Sequence, residues 1–148
     1  MTATSLDIDA LAMRAASSID ERALRDILVR LCARPSPSGQ ERALAEDLAV
    51  FGRREHRDLE WDVDALDAKS ANLVVRSSLG NAPELALYGH LDTSLTGEAS
   101  RDAWITGETS EPPPFAEDGD ALRGFGIGVA KAPSVAPVHA RTGAVAPP

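Results

Sequence analysis

Leu24, Ile27, Leu28 and Leu31 recur at the i, i+3, i+4, i+7 spacing of one helical face, and Pro35 and Pro37 then stop that rhythm. An apolar stripe of this kind must be buried against another element, so the chain cannot continue as one long helix and has to turn back on itself. Ser18-Ile19-Asp20-Glu21 fits a capping box, which predicts a helix start with Ser18 as N-cap. Ser38-Gly39-Gln40-Glu41 repeats that pattern after the prolines. Ala43, Leu44, Leu48 and Phe51 then predict a second amphipathic helix, ending at Gly52 and the charged cluster Arg53, Arg54, Glu55, His56 and Arg57. That cluster reads as a solvated helix end whose cations suit the helix dipole.

Three strands are expected next. Residues 59–64 alternate apolar and acidic side chains, residues 72–76 are short and β-branched, and residues 84–88 form an apolar run. Helices followed by strands in so short a chain indicate a layered α/β or α+β domain. The third strand leads into Gly89-His90-Leu91-Asp92-Thr93. A His and an Asp two residues apart at a strand end point to one side, and a carboxylate there can fix the tautomer of a metal-binding imidazole. From Thr93 onward a loop is expected, with a short edge strand at Leu122. Residues 1–17 read as a loose leader or a short helix. Residues 18–131 form the domain, and residues 132–148 form a Pro/Ala-rich tail expected to be poorly ordered.

Composition removes several classes of function. The 148 residues carry a formal net charge of −8, which argues against a nucleic-acid binder or a binder of anionic membranes. Cys32 is the single cysteine, so there is no internal disulfide and no cysteine-based zinc site, and its apolar surroundings suit an inert thiol. Asp7 and Asp9 precede any basic residue, which does not suit a signal peptide, and no stretch reaches membrane-spanning length. A cytoplasmic location is expected by default. Gly124, Gly126 and Gly128 have neither the dinucleotide-binding spacing nor the Gly-Lys-Ser/Thr of a phosphate loop. Ser36, Ser38 and Ser94 lack a recognisable His and Asp arrangement for nucleophilic catalysis.

Four ordered segments carry a resemblance. The turn Pro35-Ser36-Pro37-Ser38-Gly39-Gln40-Glu41, the strand Ala71-Asn72-Leu73-Val74 and the motif at Gly89 to Thr93 resemble the dinuclear zinc metallopeptidase and deacylase family. That family includes acetylornithine deacetylase, succinyl-diaminopimelate desuccinylase, aminoacylase and glutamate carboxypeptidase. Trp104, Pro114-Phe115, Asp118-Gly119 and Leu122-Arg123-Gly124 are similar to the irregular segment before its second metal motif. The resemblance spans residues 19–131 and implies the amino-terminal part of a zinc-exopeptidase-like catalytic domain. Its two N-terminal helices would pack on a mixed sheet, followed by an irregular C-terminal segment. It also implies His90 as a zinc ligand and Asp92 as the catalytic carboxylate that orients it, with cobalt or manganese as substitute metals. The implied chemistry is attack of zinc-activated water on a small peptide or an N-acyl amino acid.

The departures are specific. In the family's Gly-Arg-Gly-x-x-Asp-x-Lys motif the Asp bridges two metals. Here Gly124-Phe125-Gly126-Ile127-Gly128-Val129-Ala130-Lys131 places Val129 at that position, and an isopropyl group cannot coordinate zinc. The chain has no Glu-Glu pair and no acidic residue after Asp120, and His139 is the single later ligand candidate. Metal-assisted hydrolysis needs both a Lewis acid and a positioned base. The expectation is therefore a divergent, incomplete member that is not competent alone, with a second protein chain able to complete the sheet and the site. The alternatives are a non-catalytic binding module of the same partial fold, or a truncated remnant.

Overall fold

The computed structural model describes residues 7–17, 19–77, 86–107, 109–110 and 115–135. Helix α1 (Ile8–Ser17) starts where the Asp7 carboxylate accepts the Ala10 N–H at 3.0 Å, and it leaves Ile8 and Met13 exposed. Helix α2 (Glu21–Cys32) is capped by Asp20, whose carboxylate accepts the Ala23 N–H at 3.1 Å. The N-cap is thus Asp20 rather than Ser18, which lies outside the described residues; Glu21 opens the helix instead of closing a capping box. The expected stripe is the buried one: Ile27, Leu28, Leu31 and Cys32 are buried, with Leu24 packed at their edge.

The second helix, α3 (Arg42–Glu55), begins at Arg42 without a side-chain cap. The capping box expected from Ser38 does not form, because Glu41 accepts the Gly39 N–H and the Ser38 hydroxyl is bonded to Asp92. Leu44, Ala45, Leu48, Ala49 and Gly52 form its buried face, while Ala43, expected on that face, is exposed. Strands β1 (Leu59–Ala65) and β2 (Ala71–Ser77) pair antiparallel, with Trp61 opposite Val75. In the connecting turn the Asp67 carboxylate accepts the N–H groups of Lys69 and Ser70 at 2.7 and 2.8 Å. α3 lies on this hairpin at its closest where Gly52 meets the Trp61 indole; a Cβ there would come within 2.2 Å of the ring. Trp61 is 2% exposed and donates its indole N–H to the His56 carbonyl.

The third expected strand is absent from its described part. Ala86, Leu87 and Tyr88 form no ladder, and Tyr88 is 96% exposed; residues 84 and 85 lie outside the described residues. Beyond the motif, the region expected as loop contains helix α4 (Ala99–Thr106). Its buried Asp102 accepts N–H groups from Thr96 and Gly97 and the Thr96 hydroxyl, all within 3.0 Å. Trp104, expected in an irregular segment, sits on this helix and faces solvent. A second hairpin joins β3 (Ala116–Asp118) to β4 (Ala121–Arg123), which carries Leu122. A π-helical turn at Ile127–Lys131 follows and runs into one further helical turn through residue 135.

The architecture is a mixture of helices and small antiparallel sheets. Among the described residues the strands form two separate two-stranded sheets instead of the expected mixed sheet, and one parallel bridge joins Pro37 to Thr93. One core holds these pieces together. It comprises Ile27, Leu28, Leu31, Cys32, Leu44, Leu48 and Val135, bordered by Phe51, Leu73, Leu91, Phe115 and Ile127. No helix among the described residues is long and apolar enough to cross a membrane.

Candidate functional site

With no strand ladder beneath it, the segment carrying His90 and Asp92 is held by side chains from two other parts of the chain. The first is the turn after α2. There the Thr93 N–H donates to the Ser36 carbonyl at 2.8 Å, and the Ser38 N–H donates to the Thr93 carbonyl at 3.2 Å. The second is the π-helical turn and its continuation. The Ser134 hydroxyl donates to the His90 carbonyl at 2.7 Å, and the Lys131 ammonium donates to the Leu91 carbonyl at 2.9 Å. The Ser36 hydroxyl donates to the same Leu91 carbonyl at 2.6 Å and accepts from Lys131. The backbone oxygens of His90, Leu91 and Thr93 thus each have a partner from a distant segment.

On this frame the two motif side chains meet. His90 Nδ1 lies 3.1 Å from the Asp92 carbonyl oxygen and 3.2 Å from Asp92 Oδ1. Both are acceptors, so Nδ1 carries the proton in the neutral ring and Nε2 keeps its lone pair. The His90 side chain is 58% exposed, so that lone pair is available to a ligand from solvent. Asp92 Oδ2 accepts the Ser38 hydroxyl. That hydrogen bond first, then the charge of His90, holds the Asp92 carboxyl below the usual carboxylate range against the opposing effect of burial. Asp92 therefore stays an anion and an acceptor through neutral pH.

Beneath the dyad lies Lys131, fully buried. Burial pushes its pKa down to about 8, with Cys32 and the Asp92 carboxylate opposing that shift. Burial also pushes the Cys32 thiol up, opposed by the Lys131 charge. The π-helical turn brings Lys131 here because Gly126 begins it at φ +72°, and a Cβ on Gly126 would come within 2.6 Å of Thr93 Cγ2.

The structure thus brings His90 and Asp92 together, although not at the strand end from which their spacing was read. Val129 is 76% exposed on the outside of the turn, and His139 lies outside the described residues. Among the described residues no three His, Cys, Asp or Glu side chains cluster as a metal site requires. The donor set is therefore one imidazole nitrogen, with its orienting carboxylate already engaged by His90 and Ser38. These residues do not make a zinc site by themselves. Reasoning from sequence missed Ser36, Ser38, Ser134 and Lys131 as parts of this frame. Lys131 closes the Gly-rich segment, and the serines flank prolines, but no local pattern marked them as partners of the motif. No protein-family model matches the chain, and no curated protein or solved structure matches it.

Proposed function

We propose that this chain is a divergent, partial zinc-exopeptidase-like domain. Its lineage would be that of metal-dependent hydrolases acting on peptide or N-acyl amide bonds, and it is not competent alone. The observation supporting this reading is the His90–Asp92 pair. The carboxylate takes Nδ1–H and leaves Nε2 outward, the arrangement by which a carboxylate prepares a metal-binding histidine. Further metal ligands and a general base would come from a second protein chain, and the substrate would be a small peptide or an N-acyl amino acid.

A second reading, a non-catalytic binding module of the same partial fold, is favoured by Val129. The residue aligned with the family's bridging acid is an exposed isopropyl group.

The test is a zinc titration followed by assays on N-acyl amino acids and dipeptides with zinc, cobalt or manganese. Weak zinc binding that is lost in His90→Ala, without turnover, is the expected result. Metal-dependent turnover by the purified chain that His90→Ala abolishes would show it competent alone. Absence of any His90-dependent metal binding would remove the hydrolase reading and leave the binding module.

A further inference from the structure

We propose that Lys131 is a positioning residue for the His90–Asp92 pair: its buried ammonium holds the Leu91 carbonyl and the Ser36 hydroxyl at one point and thereby fixes the turn on which the pair faces itself. This deepens the reading above and rests on it for the use to which the pair is put. A fully buried lysine is unusual, because removing an ammonium from water is costly unless its donors are satisfied. Here two donors are used, one on Ser36 and one on Leu91, 95 and 40 residues away in sequence. Leu91 is the residue between the two members of the pair. Its side chain packs at the edge of the core while its carbonyl is bound by both the ammonium and the Ser36 hydroxyl.

No β ladder fixes this segment between Ala86 and Asp92, so its conformation depends on those bonds, on the Ser134 bond to the His90 carbonyl and, at its end, on the bonds that Ser36 and Ser38 make to Asp92 and Thr93. Ser134 and Lys131 sit on the same continuous helical stretch, which makes one face of that stretch the seat of the motif. Without the ammonium, the Leu91 carbonyl keeps one neutral donor, and the peptide can rotate. His90 Nδ1 then loses its fixed distance from Asp92. Because the His90 ring is largely exposed, its orientation rests on Asp92, whose other carboxylate oxygen is held by the Ser38 hydroxyl.

The experiment is nitrogen-resolved spectroscopy of the His90 ring in the metal-free full chain at neutral pH, comparing wild type with Lys131→Met. Methionine keeps the apolar length of the stem and removes the donors. The expected wild-type spectrum has a protonated Nδ1 and an unprotonated Nε2. In Lys131→Met the separation between the two ring-nitrogen signals shrinks as the tautomers mix, with cooperative unfolding retained. A folded Lys131→Met with the wild-type ring spectrum overturns the proposal. A second measurement does not depend on that variant folding. The wild-type Lys131 ammonium protons should exchange slowly and couple to the Leu91 carbonyl carbon, and exchange as fast as that of solvated lysines overturns the proposal. Neither spectrum involves metal, so positioning by Lys131 and metal ligation by His90 fail or stand separately.

Discussion

Lys131 and Cys32 titrate against one another, and their linkage to folding has opposite signs. Between about pH 8 and 10.5 the unfolded chain holds the Lys131 proton and the folded chain has lost it. The unfolded state then binds more protons, so stability rises with pH. Complete relief of the buried ammonium corresponds to about 3 kcal/mol, at roughly 1.4 kcal/mol per pH unit. Cys32 acts the other way, because its folded thiol keeps a proton that an unfolded thiol loses near pH 9. Urea unfolding should therefore show stability rising from pH 8 to pH 9 and flattening above. In Cys32→Ala the rise should continue toward pH 10.5. A wild-type stability that falls between pH 8 and 9 would contradict the burial of a charged Lys131. The closeness of His90 and Asp92 was read from a strand end that does not form among the described residues, and what brings them together is the hydrogen bond of the ring to Asp92 on a turn held from elsewhere. The supporting residues were not legible, because Lys131 and Ser134 reach the motif from 40 and 44 positions away.

The elements divide by what their neighbours supply. α2 and α3 were legible because each carries a stripe that needs only one apolar partner, β1 because its residues alternate, and β2 because its short β-branched run suits a strand. The apolar run before the motif has the composition of a strand, yet a strand exists only where another strand pairs with it, and Ala86, Leu87 and Tyr88 have none. α4 was missed for the reverse reason. Its outward face bears Trp104 and Ile105, which blurs any amphipathic rhythm, and its start is organised by Asp102 reaching back to Thr96 and Gly97. The contact of α3 with β1 gives a direct test. Gly52→Ala forces a methyl into the Trp61 ring and should cost about 1–3 kcal/mol. The accompanying Trp61 emission should shift to longer wavelength as the indole is displaced toward water. An unchanged midpoint and spectrum would mean that helix and hairpin do not pack as described.

For the molecule as a whole, the single core is what joins the scaffold to the motif. Leu31 lies in the same apolar cluster as Val135, and Leu91 and Leu73 border it from the motif and from β2. Leu31→Ala should therefore destabilise by about 2–5 kcal/mol, the range for truncating a fully buried leucine. Unfolding followed at Trp61 and at the His90 ring should remain coincident, because the hairpin and the motif rest on one cluster. Separate transitions would show that the motif is attached to the scaffold without sharing its core.

The π-helical turn carries one more consequence. Gly126 O receives the N–H of both Ala130 and Lys131, so this turn contains one residue more than an α-helical turn would. Removing the extra residue turns the Lys131 N–H into the ordinary i→i+4 donor to the same Gly126 oxygen, so the side chains that follow keep their places around the axis. Val129 projects into solvent, so Val129→Ser should leave the thermal midpoint unchanged. Deleting Val129 should likewise leave Lys131, Ser134 and Val135 on the inner face and unfolding cooperative in a thermal melt, and loss of the cooperative transition would show that the turn needs its extra residue. At this position the chain is free in its length as well as in its chemistry. The turn takes up a residue of length without moving the seat of the motif, much as a slack loop in a rope leaves both of its ends where they were.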